Sequence, residues 1–324
     1  MVFMRFLAVI FICFIFNSCS GGTETGPNVY VGGAYSTDSL DRACYWVNGK
    51  QYKLDGGIVR VITAVNNKVY MAGFYRQDNE FKGCYWIGSA RYDLPGLVGG
   101  GFGIGRISVM DNNVFVIGNT SDGVRYWING VMQELPPDAY SINDLYAING
   151  SLYISGSYLD NGVIKPCYWI NKTRKELPAI LDFNPEWIGS LIDIENNKVY
   201  IVNCYIGPER EDDRREIISV SWLNGIQQHV LEGATFAFAV SNGDIFMCGD
   251  YGDRMYTKCY KNGVYYNSAS PNFFSRFAVS RGRTYTAASG SDYKAGYFID
   301  GGPADGERVE LGTGAYAVCI YVDR

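Results

Sequence analysis

Apolar and polar positions along this chain form short blocks that end in turn residues, without the longer period of amphipathic helices. One block is an apolar run ending in glycine, as in Val69-Tyr70-Met71-Ala72-Gly73. A second is an aromatic run ending in a turn, as in Cys44-Tyr45-Trp46-Val47-Asn48-Gly49. The Asn-Asn and Asn-Gly pairs between blocks tolerate the positive φ that a two-residue hairpin turn requires. The pattern predicts short antiparallel strands joined by tight hairpins.

The aromatic block recurs along the chain at a spacing of roughly forty residues, which is typical of repeat architectures. Its seven copies lie at 44–49, 84–88, 125–130, 167–171, 221–225, 260–263 and 298–301. An apolar block precedes each copy, a shorter Ala-Val or Ala-Ile segment precedes several of these, and an x-x-Leu segment follows the first copies. Each unit is therefore predicted to contain four antiparallel strands, which we label a to d.

Strands b and c are apolar on both faces, so both faces of each four-stranded sheet should be buried. A ring of sheets packed face to face around an axis, a β-propeller, buries both. The first unit begins at strand b with Val29, and the last residues, 315–322, match a strand a that has no following b. We therefore predict an all-β, seven-bladed propeller closed by pairing of the C-terminal strand into the N-terminal blade. Six or eight blades are the alternatives if one weak unit is misassigned.

These motifs resemble the repeats of kelch-like propellers, in which an apolar strand ends in Gly-Gly and an aromatic residue follows. Gly32-Gly33 keeps both glycines, whereas Trp46 and its equivalents lie in the third strand rather than the fourth. The chain is also similar to repeat propellers of Gram-negative envelope lipoproteins. Neither family has one common activity, so the resemblance implies a fold and no specific function.

The N-terminal residues are predicted to be a targeting segment. Arg5 precedes an apolar run at 6–16, which is too short to span a bilayer and is typical of a signal peptide. Phe16-Asn17-Ser18-Cys19 resembles the lipobox of bacterial lipoproteins, which implies that Cys19 carries the lipid. An ordinary secretory signal with an incidental cysteine is the alternative.

We therefore expect a lipoprotein signal peptide at 1–18, a lipid-anchored flexible tether at 19–28 and the propeller at 29–324. Lipid on Cys19 would attach the protein to a membrane of the cell envelope, and we expect the outer membrane without assigning the side. The formal net charge of −5 gives no broad basic face, so we expect no nucleic-acid partner.

The cysteines are expected to be small buried side chains. Cys44, Cys84 and Cys167 occupy the same place in successive units, which puts them on separate blades beyond bridging distance. No CxxC spacing occurs, and His229 is the only histidine. We therefore predict no structural disulfide, no metal site and no cofactor.

Strand polarity assigns the connections to two faces of the ring. The a–b and c–d turns share one face, here called the turn face, and most are minimal. The b–c and d–a connections share the other face, here called the variable face, where functional loops are expected. The candidate ligand-binding residues there are Arg60, Phe102, Arg106, Tyr140, Trp187, Phe273, Phe274 and Arg276.

Aromatic side chains with a few arginines suit a sugar ring or an acidic or peptide ligand. The favoured hypothesis is thus a lipid-anchored binding or scaffold protein whose variable face binds a glycan or a protein. The alternative is a carbohydrate-active hydrolase or lyase with carboxylates at the channel mouth, since acids such as Asp78 and Asp160 recur in b–c loops. Tyr35, Tyr75, Tyr158, Tyr205 and Tyr251 either belong to this face or fill the gaps between blades.

Overall fold

The polypeptide forms a ring of antiparallel strands. The computed structural model describes residues 26–324 except 38–39, 79, 99–102, 179–185, 210–214, 251–256, 270–276, 290–293, 301–305 and 324. A few residues beside these gaps are described by their backbone alone. Within the described part of the chain, no helix is long and apolar enough to cross a bilayer.

The strands are grouped by sequence. The first seven are β1 (Val29–Thr37), β2 (Leu40–Val47), β3 (Lys50–Lys53), β4 (Ile58–Val65), β5 (Lys68–Gln77), β6 (Glu80–Ile87) and β7 (Ala90–Val98). The next eight are β8 (Ile104–Met110), β9 (Asn113–Thr120), β10 (Gly123–Ile128), β11 (Val131–Met132), β12 (Ala139–Ile148), β13 (Ser151–Asp160), β14 (Val163–Ile170) and β15 (Thr173–Glu176).

The second half of the chain continues the same order. Its first eight strands are β16 (Glu186–Glu195), β17 (Lys198–Glu209), β18 (Arg215–Leu223), β19 (Ile226–Glu232), β20 (Ala234–Ser241), β21 (Asp244–Asp250), β22 (Thr257–Lys261) and β23 (Val264–Ala269). The last five are β24 (Phe277–Ser280), β25 (Arg283–Ser289), β26 (Lys294–Ile299), β27 (Glu307–Thr313) and β28 (Ala315–Val322).

The described strands form seven four-stranded sheets, as the repeat predicts. Blade 1 is β28-β1-β2-β3, and each later blade takes the next four strands, from β4–β7 in blade 2 to β24–β27 in blade 7. Ring closure is confirmed as well, because β28 pairs antiparallel with β1 from Val29↔Val322 to Tyr35↔Ala315. The chain ends therefore meet in one sheet.

The glycine that ends the strand-b motif is explained by a bulge in strand a. In blade 2 the register shifts between Val59 and Val61, opposite Ala72 and Gly73. This shift brings the backbone of strand a against strand b, so a Cβ atom on Gly73 would overlap the carbonyl oxygen of Ile58. The same overlap with a strand-a carbonyl occurs at Gly33, Gly156 and Gly249. The motif thus needs glycine for close approach of backbone.

Blade 5 is the informative exception. It has Asn203 where the motif has glycine, and its bulge has moved to lie between Trp187 and Gly189. Asn203 is fully buried and lies opposite Ser190 in the register. The amide atoms of Asn203 and the Ser190 hydroxyl have no hydrogen-bond partner within the described residues. The replacement of the motif glycine by Asn203 therefore accompanies a shift in the position of the strand-a bulge.

The tight turns have the predicted left-handed asparagines. Asn48, Asn129 and Asn224 begin c–d turns with φ near 50°, each followed by a glycine with φ near 80°. Their side chains also accept a hydrogen bond from the first valine of strand b, as from Val114 N to Asn129 Oδ1 at 2.8 Å. The asparagine therefore both forms the turn and anchors the neighbouring hairpin.

The aromatic motif belongs to the core between blades. Trp46, Trp86, Trp127, Trp169 and Trp222 are among the largest fully or almost fully buried side chains. Each lies on strand c and packs with apolar residues of its own blade and a neighbouring blade. The motif therefore stabilises the scaffold.

The prediction of no structural disulfide is wrong. Cys248 on β21 and Cys259 on β22 are directly opposite each other in the register of blade 6 and form a disulfide. The prediction compared cysteines at equivalent places in different blades, and these two lie on adjacent strands of one blade. Five other described cysteines carry buried thiols, as expected: Cys44, Cys84, Cys167, Cys204 and Cys319.

Candidate functional site

A central channel runs along the axis of the ring and is lined by the innermost strand of every blade. Its cavity has a volume of about 330 Å³. Residue pairs between strands a and b can be counted from the a–b turn of each blade. The strand-a residue of the third pair lies at the same level of the channel in every blade, and in blade 1 the equivalent residue belongs to β28. These residues are Thr63, Ser108, Tyr146, Asp193, Ala239, Ala278 and Tyr321.

This ring of residues is asymmetric. Blades 1 to 5 contribute hydroxyl or carboxylate groups, whereas blades 6 and 7 contribute Ala239 and Ala278. The small side chains leave volume on one side of the channel and the polar groups lie on the other. A ligand in the channel would therefore meet different chemistry on its two sides.

Arg106 and Asp144 form a charged pair across the boundary between blades 3 and 4. Arg106 Nε donates to Asp144 Oδ1 at 2.9 Å, and Nη2 donates to Oδ2 at 2.8 Å. The side chains are 18% and 3% exposed. Burial lowers the pKa of Arg106, but Asp144 and Asp193 outweigh that effect and hold the pKa above its ordinary value. The guanidinium therefore stays charged inside the ring.

The buried carboxylates of Asp144 and Asp193 also join successive blades through the backbone. Asp144 Oδ2 accepts from the Ile192 N–H of blade 5 at 3.2 Å. One blade further, Asp193 Oδ2 accepts from the Val240 N–H of blade 6 at 2.9 Å. These contacts give both acids a structural role.

The sequence analysis did not select these two acids. Asp193 stands between Ile192 and Ile194, and Asp144 directly precedes the segment Leu145-Tyr146-Ala147-Ile148. An acid within a buried strand needs a partner, which is the signal that could have identified them.

The structure describes some of the candidate ligand-binding residues. Arg60 is the bulge residue of β4, and its buried Nε has no hydrogen-bond partner within the described residues. Tyr140 is 58% exposed at the beginning of β12. Trp187 lies in β16, paired with Tyr205, and only its backbone is described. Four candidates lie outside the described residues: Phe102, Phe273, Phe274 and Arg276.

Sequence analysis also missed Phe236. It is the bulge residue of β20, lies between Thr235 and Ala237 in the shifted register, and lines the channel. Its side chain is 49% exposed. Phe236 and Tyr140 therefore place two exposed aromatic rings on innermost strands of the propeller. Knowledge of the bulge positions in strand a would have identified Phe236 as a channel residue. The sequence pattern does not show where bulges occur.

Strand bounds show that the connections of the variable face differ around the ring. The b–c connections of blades 1 to 4 are two residues long, whereas those of blades 5 to 7 span 210–214, 251–256 and 290–293. Two of the longest d–a connections, 177–185 and 270–276, enter blades 5 and 7. The expected variation is thus concentrated on blades 5 to 7. On the turn face, every a–b turn has two residues, and the c–d connection of blade 7 (300–306) is the exception to minimal length.

Three of the tyrosines that follow the strand-b motif are core residues. Tyr75, Tyr158 and Tyr205 are at most 5% exposed. The guanidinium of Arg91 lies 3.8 Å from the ring centre of Tyr75, and that of Arg174 lies 4.0 Å from Tyr158. These tyrosines fill gaps between blades, as the alternative interpretation proposed, whereas Tyr35 is half-buried and Tyr251 lies outside the described residues.

The described acids of the b–c loops belong to exposed turns. Asp78 has φ 53° in the turn between β5 and β6, and Asp122 is exposed in the turn between β9 and β10. Asp160 pairs with Lys165 at 2.6 Å. Asp38, Asp253 and Asp292 lie outside the described residues. Within the described ranges, no three His, Cys, Asp or Glu side chains converge to hold a metal ion.

No family model matches this chain, and no curated protein matches it. The chain is similar to solved propeller structures at low identity. One is the β-propeller domain of the trilobed protease from Pyrococcus furiosus, with 12% identity, coverage of 78% of this chain and 82% of that chain, and a TM-score of 0.46.

Two further structures are similar at the same level. Polysaccharide lyase Uly1 has 10% identity, covers 79% of this chain and 81% of its own, and gives a TM-score of 0.47. A nidogen/laminin complex has 11% identity, covers 71% and 88%, and gives a TM-score of 0.40. At these values the similarities carry no argument about function, which depends on the site itself.

Proposed function

We propose that this protein is a lipid-anchored binding or scaffold module of the cell envelope that binds a glycan or a protein partner on its variable face. The observation that carries the proposal is the concentration of long connections on blades 5 to 7 of an otherwise regular ring. Loops that depart from a rigid scaffold on one side of one face are typical of binding sites.

The chemistry around the channel supports a ligand with both apolar and polar groups. Phe236 and Tyr140 offer exposed aromatic faces, and Arg60 offers a guanidinium with an unpartnered Nε within the described residues. Aromatic rings pack on the apolar faces of sugar rings and on peptide side chains, while a guanidinium binds acidic groups. Trp187, Phe273, Phe274 and Arg276 lie in or beside the long connections and extend the same chemistry along the sequence.

The lipid anchor rests on the similarity of Phe16-Asn17-Ser18-Cys19 to a lipobox. Replacement of Cys19 by serine is expected to release the protein from the membrane fraction. Unchanged fractionation would contradict the anchor without affecting the binding proposal.

The binding proposal is tested with the purified protein on a glycan array and against candidate envelope proteins in solution. We expect at least one saturable ligand whose affinity falls tenfold or more, about 1.4 kcal/mol, in Trp187→Ala or Tyr140→Ala. The matched control is Asn149→Ala, an exposed residue in an a–b turn of the turn face, which should bind normally. Equal binding by all three variants would contradict a site on the variable face.

A hydrolase or lyase is the alternative outcome of the same experiment. Array glycans would then be shortened, and product release would be visible by mass spectrometry. Binding without any new product supports the binding module.

A further inference from the structure

The N-terminal segment leaves the propeller at one defined place. Asn28 precedes β1, and its Nδ2 donates to Asp323 Oδ2 at 2.9 Å. Asn48 Nδ2 donates to Asn28 Oδ1 at 2.8 Å, and Asp323 N donates to the Asn28 carbonyl oxygen at 3.1 Å. Residue 28 is therefore held at the start of its blade by both neighbouring strands.

This place belongs to the turn face. Asn48 begins the c–d turn of blade 1, and Asp323 directly follows β28, where the other blades have an a–b turn. Because strand b starts at the turn face in every blade, β1 also starts there. The segment that ends at Asn28 therefore joins the propeller on the face opposite the long connections.

The length of the segment limits what it can reach. Ten residues, 19–28, span at most about 35 Å when fully extended. β1 has nine residues and crosses the ring from the turn face toward the variable face, a distance of about 30 Å. A chain anchored at residue 19 would use nearly all its length to reach the opposite face. The turn face needs much less of that length to lie close to the anchor.

The turn face is suited to approach a flat surface. All of its a–b turns have two residues, and so do its c–d turns in blades 1 to 6; the longer c–d connection of blade 7, 300–306, is the exception. The first residues after the c–d turns of blades 3, 5 and 6 are apolar and exposed: Val131 at 63%, Ile226 at 68% and Val264 at 69%. Lys68 and Lys198 are exposed beside a–b turns. Apolar and basic side chains near one face favour contact with an anionic lipid surface.

We propose that the turn face lies against the bilayer and that the variable face points away from it. The inference rests on the lipid anchor of the proposed function and adds the direction in which the binding face is presented. The occupant of the turn face is an anionic bilayer surface. The test must distinguish this occupant from a second copy of this chain.

The orientation is tested by energy transfer from two single labels to an acceptor in the membrane. Ser89→Cys places a thiol in an exposed c–d turn on the turn face, and Ser121→Cys places one in an exposed b–c turn on the variable face. The free thiols in the described part of the chain are buried, and burial raises the pKa of Cys44 to about 12 and the pKa of Cys84 further still. At neutral pH a maleimide dye should therefore react with the introduced thiol.

The full-length lipidated protein is reconstituted into phosphatidylglycerol-containing vesicles with a lipid-soluble acceptor. We expect transfer from position 89 to exceed that from position 121 several-fold, since the two faces are about 30 Å apart. Equal or reversed transfer would overturn the orientation and leave the anchor standing. Transfer between differently labelled copies, with position 89 remote from the acceptor, would show a second copy on the turn face and also overturn it.

The Cys19→Ser variant separates the orientation from the anchor. Without lipid, both labels should lose transfer. If the wild-type protein itself fails to associate with vesicles, both the anchor and the orientation are overturned, while ligand binding by the variable face remains a separate result from the array.

Discussion

Arg106 of blade 3 and Asp144 of blade 4 are joined by two parallel hydrogen bonds of 2.9 and 2.8 Å. Asp144 in turn accepts from the Ile192 N–H of blade 5. One carboxylate therefore connects three successive blades at the wall of the channel. Blades 2, 5 and 6 have Val61, Leu191 and Ala237 at the equivalent place of strand a, so these three blades lack such a pair.

Breaking this pair should strongly destabilise the ring. We expect Asp144→Asn to lower the free energy of unfolding by about 3 kcal/mol, because it removes the carboxylate that pairs with a largely buried guanidinium. Urea denaturation followed by tryptophan fluorescence measures the loss. The double variant Arg106→Val, Asp144→Leu, which copies residues of other blades, should cost less than the two single changes added together. Strict additivity would show that the two side chains do not interact.

The bulge explanation of the glycine motif predicts a sharp difference between two glycines. Gly156→Ala would place a Cβ atom against the Ser141 carbonyl oxygen, and we expect a loss of about 1–3 kcal/mol from overpacking. Gly189→Ala is the control, since its Cβ would meet only Asn143 Nδ2 at 3.9 Å. The control should change stability by less than about 0.5 kcal/mol. Equal effects at both positions, measured by thermal unfolding, would contradict the explanation.

His229 should make the stability depend on pH. Burial lowers the pKa of His229 from its ordinary value of 6.5, so the unfolded chain binds this proton more tightly than the folded protein. Stability should therefore be fully present above pH 6.5 and fall as the pH drops from there through the lowered pKa. His229→Gln should remove the pH dependence of stability at pH values above those at which carboxylates titrate. Melting temperatures at closely spaced pH values test this, and an unchanged slope in the variant would assign the dependence to other groups.

The disulfide of blade 6 should contribute to stability under oxidising conditions. The Cys248→Ser, Cys259→Ser variant is expected to lose about 2–3 kcal/mol, because the bond restricts an unfolded loop of 11 residues. Reductant should lower the stability of the wild-type protein toward that of the variant. The control Cys204→Ser keeps the disulfide and should remain sensitive to reductant. If reductant left the stability of the wild-type protein unchanged, the result would contradict a contribution of the disulfide to stability.

The blade count, strand order and closure could be predicted because each blade repeats one pattern of apolar strands and Asn-containing turns. The turn asparagines and the strand-c tryptophans followed directly from that pattern. The Cys248–Cys259 bond was missed because comparison between repeats relates equivalent positions, whereas a disulfide depends on register within one sheet. Pairing the predicted b and c strands of blade 6 residue by residue would have brought Cys248 close to Cys259.

The site was less predictable than the scaffold. Which side chains of strand a enter the channel depends on bulges, and these shift in blade 5 when Asn203 replaces the motif glycine. The Arg106–Asp144 pair joins residues 38 positions apart and depends on how blades pack around the axis. Arg106 was selected from the sequence as a ligand-binding candidate, and the structure shows the contact that already engages it.

Ring closure is the relationship on which the two faces, the channel and the exit of the N-terminal segment all depend. The most direct test compares the full-length chain with a variant that lacks residues 315–324, which removes β28, and with a control that lacks only Arg324. The account predicts that the first deletion abolishes the cooperative thermal transition or causes aggregation, because blade 1 loses its innermost strand and blades 2 and 7 lose the strand that packs against them. The control should melt like the wild-type protein. A variant without β28 that unfolds cooperatively at the wild-type temperature would contradict the closed ring.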